Sequence, residues 1–320
     1  MQDNPNIFDT PLSDLAWDAW IDKVDDHILD NGFVEYLGSK HLAAFIENKP
    51  TLLITFESLD QVQALSPAGQ PVGWNLAKAL GWSSLALVSD GDTWFRDPRV
   101  FGFFDRMIDD GFFERFDQIL FYGAGASGYA AAAFSVAAPG ARVLCLRPQA
   151  TLDPRVAEWD DRFLHMRRTA FDDRYGFAPD MLDAAEQAFV LYDPAIPLDA
   201  MHAALFTRPN VTKFRMRFLG DDMDQQLMAM SILLRIIAQM SAGKLTPANL
   251  AKLYRARHRH IPYLKRVLWR LERNERLYFN ALWAKTVMHD TPGPRFRKSL
   301  RFAQDKAEAR GIALPNRQSK

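Results

Sequence analysis

The stretch "QILFYGAGASGYAAAAFSVAAPGARVLCLR", residues 118–147, decides how this chain folds. An apolar run leads into a cluster of small residues, an alanine-rich segment follows, and a second apolar run closes it. That order spells strand, tight turn, helix, strand. Similar apolar runs recur at 51–56 (TLLITF), 84–89 (SLALVS), 188–193 (AFVLYD) and 211–220 (VTKFRMRFLG), and segments such as 98–115 and 127–137 have helical length. Near-continuous apolar strands alternating with helices predict an α/β fold: a mostly parallel, doubly wound sheet covered on both faces.

Working outward, residues 12–48 have mixed helical spacing and are expected to form one or two N-terminal helices. The segment 150–187 is less regular and has room for an inserted excursion. Beyond 224 the spacing turns helical, with Thr246-Pro247 as a helix start because Thr caps and Pro is tolerated at the first helical position. The expected division is an N-terminal helical segment (1–48), an α/β core (49–223) and a helical C-terminal extension (224–320). The extension carries a basic helix over 252–270 with Lys252, Arg255, Arg257, Arg259, Lys265, Arg266 and Arg270, interleaved with Tyr254, Tyr263 and Trp269.

Lys plus Arg and Asp plus Glu each number 39, so no overall field draws the chain toward nucleic acid or an anionic membrane, and the basic face is expected to be solvated. Nucleic acid is not an expected partner; a small molecule or a protein is. The acidic N-terminus lacks a basic n-region and an apolar h-region, and no uncharged run approaches the ~18 residues of a membrane span. A soluble, cytoplasmic protein is expected. The single cysteine, Cys145, lies inside a strand run and suits a reducing compartment rather than disulfides. Acidic clusters such as Asp160-Asp161 and Asp221-Asp222 lack the spacing of a metal loop, and no metal is expected.

The glycine turn has two chemical readings. Gly123-Ala124-Gly125-Ala126-Ser127-Gly128 matches the G-x-G-x-x-G loop of dinucleotide-binding folds, and Arg147 at the end of the next strand would favour a 2′-phosphate, hence NADP. Against it, such loops follow the first strand of their unit, whereas two strand runs precede this one. The second reading is a nucleophile elbow, in which a sharp turn exposes a nucleophile between small residues.

Here the chain resembles a family. "YGAGASGYAA" (122–131), the Pro148-Gln149 ending the next strand, "EWDDRF" (158–163) and "DTWFRD" (92–97) are similar to a branch of α/β-hydrolase-like proteins associated with surface-glycan genes. Members of that branch show a Y-G-x-S-M-G-G-Y elbow, P-Q and W-D-x-R-Y/F. The resemblance implies that Tyr122-Gly123 take the Tyr-Gly positions and that Gly125 stands where the nucleophilic serine should be. It also implies that Trp94, Arg96, Gln149, Trp159, Asp160 and Arg162 line the site with Gly123, Ala126 and Gly128.

The remaining triad positions follow from chain order. Asp193 or Asp199 follows the strand at 188–193, but "FLGDDMD" after the last strand run contains no histidine. The nearest one, His202, is expected on a surface helix. Ser127 is an alternative nucleophile, with Asp193 or Asp199 and His202 as its relay; its simpler role is to cap the following helix. The leading expectation is a catalytically degenerate α/β-hydrolase-like protein with a binding or accessory role and no cofactor, for which the resemblance implies a setting in surface-polysaccharide biosynthesis. The alternatives are a serine hydrolase or acyl esterase through Ser127, and an NADP-dependent oxidoreductase; of these two enzymes the hydrolase is favoured.

Overall fold

The computed structural model describes residues 7–28, 32–291 and 293–314. Its centre is one eight-stranded sheet in the order β1-β2-β4-β3-β5-β6-β7-β8. The strands are β1 (Gly32–Tyr36), β2 (His41–Ile46), β3 (Lys49–Ser58), β4 (Trp82–Ser89), β5 (Gln118–Ala124), β6 (Arg142–Leu146), β7 (Gln187–Tyr192) and β8 (Val211–Arg215). β2 runs antiparallel to both of its neighbours, β1 and β4. Every other pairing, from β4 to β8, is parallel. Strand order and direction together make this an α/β-hydrolase-like sheet.

The helices before the elbow are α1 (Trp17–Ile28), α2 (Leu59–Leu65), α3 (Val72–Leu80) and α4 (Pro98–Asp109). The elbow helix is α5 (Ala126–Phe134), followed by the short α6 (Pro154–Ala157) and α7 (Ala178–Met181), then α8 (Pro197–Leu205). Next come α9 (Met223–Ala229), α10 (Leu233–Ser241), α11 (Pro247–Tyr254), α12 (Ile261–Arg273), α13 (Leu277–Asp290) and α14 (Pro294–Ala309).

Period-two alternation sorts the strand side chains into two cores, because successive residues face opposite sides of a sheet. On one face Leu42, Ala44, Ala86 and Val88 meet Trp20 and Val24 of α1, Val62 of α2 and Trp74 of α3. On the other, Ala43, Phe45, Leu85 and Leu87 belong to the cluster holding Phe103 and Phe104 of α4 and the buried length of α5. Both faces are covered, which is why the central strands read as unbroken apolar runs.

The N-terminal helical expectation holds only for α1. Residues 32–46 form the β1–β2 hairpin instead, turning through Gly38 at φ +88°. Pairing decides this: "HLAAFI" is buried along its whole length and completes the sheet by joining β4, an option invisible to local helical spacing. The last predicted strand is also shorter, ending at Arg215 rather than 220.

The chain divides into two compact units, Met1–Leu250 and Ala251–Lys320. Helices α9 and α10, which share the helical spacing of the C-terminal region, lie in the first unit, where α9 meets α2 and α10 meets β6. In the second unit α12, α13 and α14 pack on one another, and the buried Ser299 hydroxyl donates to Asn280 Oδ1 at 2.9 Å. The predicted basic helix over 252–270 is interrupted: α11 ends at Tyr254, a 3-10 turn spans Arg255–Arg259, and α12 begins at Ile261 with Pro262 in its first turn. Proline is tolerated there and would break a helix running through it.

Candidate functional site at the elbow

Gly125 joins β5 to α5 at φ +61° and ψ −123°, a conformation that side chains adopt only under strain. The turn is tight because its neighbours are bare. A Cβ on Gly123 would lie 2.1 Å from the Ser127 carbonyl oxygen, and one on Gly128 would lie 3.1 Å from that of Leu146. Gly125 is different: its nearest foreign atom is Nη2 of Arg147, 3.8 Å from where a Cβ would stand. The Gly125 N–H donates to the Leu146 carbonyl at 2.8 Å. The first-turn N–H groups of α5, including that of Ala126, have no carbonyl partner within the helix.

Arg147 leaves the end of β6 at φ +48°. Its Nη1 is 3.9 Å from Oδ2 of the buried Asp199. The other Asp199 oxygen, Oδ1, accepts from Arg162 Nη1 at 2.6 Å. Arg162 in turn grips Asp160 through Nε at 3.0 Å and Nη2 at 2.7 Å. Asp160 Oδ2 lies 2.9 Å from Nε2 of His202. Burial works to raise the Asp160 pKa, but the hydrogen bonds from His202 and Arg162 outweigh it and hold the carboxyl well below the usual range.

His202 is fully buried, not on a surface face, because at three residues past Asp199 it shares that residue's inward side of α8. Both ring nitrogens are engaged. The Ala150 N–H donates to Nδ1 at 3.2 Å, so Nε2 carries the proton it gives to Asp160. The Trp159 ring lies 4.5 Å from the imidazole, and its Nε1–H donates to the Val156 carbonyl.

The other sequence candidates are placed as follows. The Ser127 hydroxyl is 1% exposed and donates to Gln61 Oε1 at 2.9 Å, so it does not cap α5. Asp193 accepts from the Ala195 N–H at 2.8 Å and the Gly220 N–H at 2.9 Å, tying the turn after β7 to the loop after β8. Trp94, at φ +52°, donates to Gln149 Oε1 at 3.1 Å and packs on Phe163. The Arg96 side chain is buried, paired with Asp173, bonded to the Arg174 carbonyl at 2.8 Å and stacked against Phe101. The structure therefore joins Arg147, Asp160, Arg162, Asp199 and His202 in one network, and leaves Ser127, Asp193 and Arg96 bound to other partners.

Three residues of this site, Gln61, Asp224 and Glu57, are not site candidates in the sequence reading, and Tyr122 enters it only as the Tyr of the elbow motif. Gln61 completes a capping box with Ser58 at the start of α2, and its Nε2 also donates to the Ala124 carbonyl at 3.0 Å. Asp224 is buried in the first turn of α9. Burial raises its carboxyl pKa and Arg147 opposes that rise. Glu57 accepts from the Val72 N–H at 3.1 Å, and burial pushes it up to about 7. Tyr122 is 1% exposed; burial, with Asp224 and Glu57, raises its phenol, and Arg147 lowers it. Burial likewise drives the Cys145 thiol well up, so it is not a thiolate at neutral pH.

No protein-family model and no curated protein matches the sequence. Among solved structures, the chain is similar to an esterase of Pyrobaculum calidifontis at 14% identity and a TM-score of 0.41, over 71% of this chain and 89% of that one. It is similar to carboxyl esterase 2 of the mycorrhizal fungus Tuber melanosporum at 11% identity and 0.38, over 66% and 86%. It is also similar to the Glycosylation Associate Protein (Gap123) complex of Streptococcus agalactiae at 13% and 0.37, over 58% and 42%. At such low scores these likenesses carry no statement about chemistry, and the fold stands on the strand order itself.

Proposed function

We propose that this chain is an α/β-hydrolase-like protein without a working nucleophile, serving as a binding or accessory protein. One observation carries the reading: the elbow apex is Gly125, in the strained backbone geometry of a nucleophile but with no side chain, and the Arg147 guanidinium faces the vacant direction. A Ser-His-Asp triad needs an imidazole beside the serine hydroxyl as its base. Ser127 instead meets an amide, and His202 has both nitrogens committed.

Binding is supported by buried polar atoms that lack a hydrogen bond, although Asp199 Oδ2 keeps its 3.9 Å ion-pair contact with Arg147. Nε of Arg147, Oδ2 of Asp199 and Oη of Tyr122 are buried without a hydrogen bond among the described residues. Buried polar groups rarely stay unpaired, so a small polar ligand with an acceptor for Arg147 suits this site. A role in surface-polysaccharide biosynthesis is the setting implied by the elbow, P-Q and W-D-x-R motifs.

Turnover of short-chain p-nitrophenyl esters tests the proposal. The expected rate equals the buffer blank, and Ser127→Ala leaves it unchanged. Turnover that disappears in Ser127→Ala overturns it.

A further inference from the structure

The zero net charge of the chain conceals a segregation. Residues 251–320 carry 18 Lys and Arg against five Asp and Glu, a formal charge of +13, whereas residues 1–250 carry 21 against 34, a charge of −13. The second unit is thus strongly basic, and part of its acid is already spent: Glu272 pairs with Arg295, and Glu275 with Lys306 and Arg310.

The same unit exposes large apolar side chains. Trp269 is 47% exposed on α12, and Tyr278, Phe279 and Leu282 are 45%, 53% and 44% exposed on α13. Lys265, Trp269 and Arg273 are spaced four apart, so they form one row along the outer face of α12. Lys265 and Arg273 have no ion-pair partner among the described residues, and the Arg273 guanidinium lies 5.2 Å from the Trp269 ring centroid. On α13, Tyr278 and Leu282 are four apart and Phe279 lies between them, which puts all three on one side of that helix.

We propose that these exposed rows of α12 and α13 dock on an anionic phospholipid surface. Cations attract acidic headgroups, while Trp, Tyr, Phe and Leu enter the headgroup–acyl boundary, the combination that interfacial helices use. Single-stranded nucleic acid also attracts cations and stacks on aromatic rings. Leu282 offers it no stacking surface, and so the lipid surface is the occupant that uses the whole set. No helix among the described residues is long and apolar enough to cross a membrane, so the contact is peripheral.

Vesicle flotation of the full chain tests this at about 50 mM and about 500 mM salt, spanning weak and strong screening. Phosphatidylcholine vesicles are compared with vesicles that also contain phosphatidylglycerol. The expected result is flotation with the anionic vesicles only, weakened by salt. Lys265→Ala with Arg273→Ala should lower partition about fivefold per charge. Trp269→Ala with Phe279→Ala should lower it at both salt concentrations. All these side chains are exposed, and circular dichroism checks that each variant keeps its helices. The proposal is overturned by absence of flotation at low salt, by flotation that neither variant reduces, or by tight binding to single-stranded DNA without binding to vesicles.

Discussion

Nη2 of Arg147 stands 3.8 Å from the point to which a Cβ on Gly125 would project, so the guanidinium of one residue faces the side chain the other lacks. Gly125→Ser places a hydroxyl at the apex without supplying a base, because His202 is already held by Asp160 and the Ala150 N–H. A side chain at φ +61° and ψ −123° costs about 1–3 kcal/mol in backbone strain. The expected outcome is a folded variant with a lower melting temperature and no gain in ester hydrolysis, read by calorimetry and p-nitrophenyl acetate turnover.

Gly123 is under a harder constraint than the apex. Its absent Cβ would sit 2.1 Å from the backbone oxygen of Ser127, which cannot swing away as a flexible side chain could. Gly123→Ala should therefore destabilise the protein more than Gly125→Ser does, by about 3 kcal/mol or more. Urea unfolding of the two variants side by side measures the difference; equal midpoints would contradict the packing account.

The Asp160 carboxyl has a folded pKa below its unfolded value near ~4. A depressed carboxyl stabilises the fold above the unfolded pKa, and that contribution is lost as pH falls toward the folded value. Asp160→Asn removes the anion that joins Arg162 to His202. The expected variant is less stable at pH 7 and shows a shallower loss of stability below about pH 4, followed by urea midpoints across the acid range.

Glu57 has the opposite sign. Burial pushes its folded pKa up to about 7, so between its unfolded value near ~4.3 and about 7 the folded state holds a proton that the unfolded state has released. Stability should fall as pH rises through that window. Glu57→Gln keeps an acceptor for the Val72 N–H and removes the ionisation. Its melting temperature should vary less between pH 5 and pH 7, as calorimetry at closely spaced pH values would register.

These residues also mark what the sequence could and could not disclose. The strands at 51–56, 118–123 and 142–147 were legible because burial on both faces makes each an apolar run. The β1–β2 hairpin was not, since its pairing with β4 depends on residues 84–89, far along the chain. The tight turn around Gly125 could be read from its local glycines, but spacing left it open between a dinucleotide loop and an elbow, and the place of Gly125 at the apex came from the family resemblance. Gln61 could not be read locally: it reaches Ser127 across a separation of 66 residues, and nothing in its local sequence signals that contact. The same holds for His202, whose helical position gave no sign that Asp160, 42 residues earlier, would occupy its Nε2. Charge, finally, was misleading as a total; the basic second unit emerges only when the chain is divided at residue 250.

The most direct measurement is intact-mass spectrometry after incubation with a fluorophosphonate probe, which reacts with activated serine nucleophiles. With glycine at the elbow apex and the Ser127 hydroxyl donating to Gln61, wild type and Ser127→Ala should both remain unmodified. A single stoichiometric adduct on the wild type that is lost in Ser127→Ala would contradict the account.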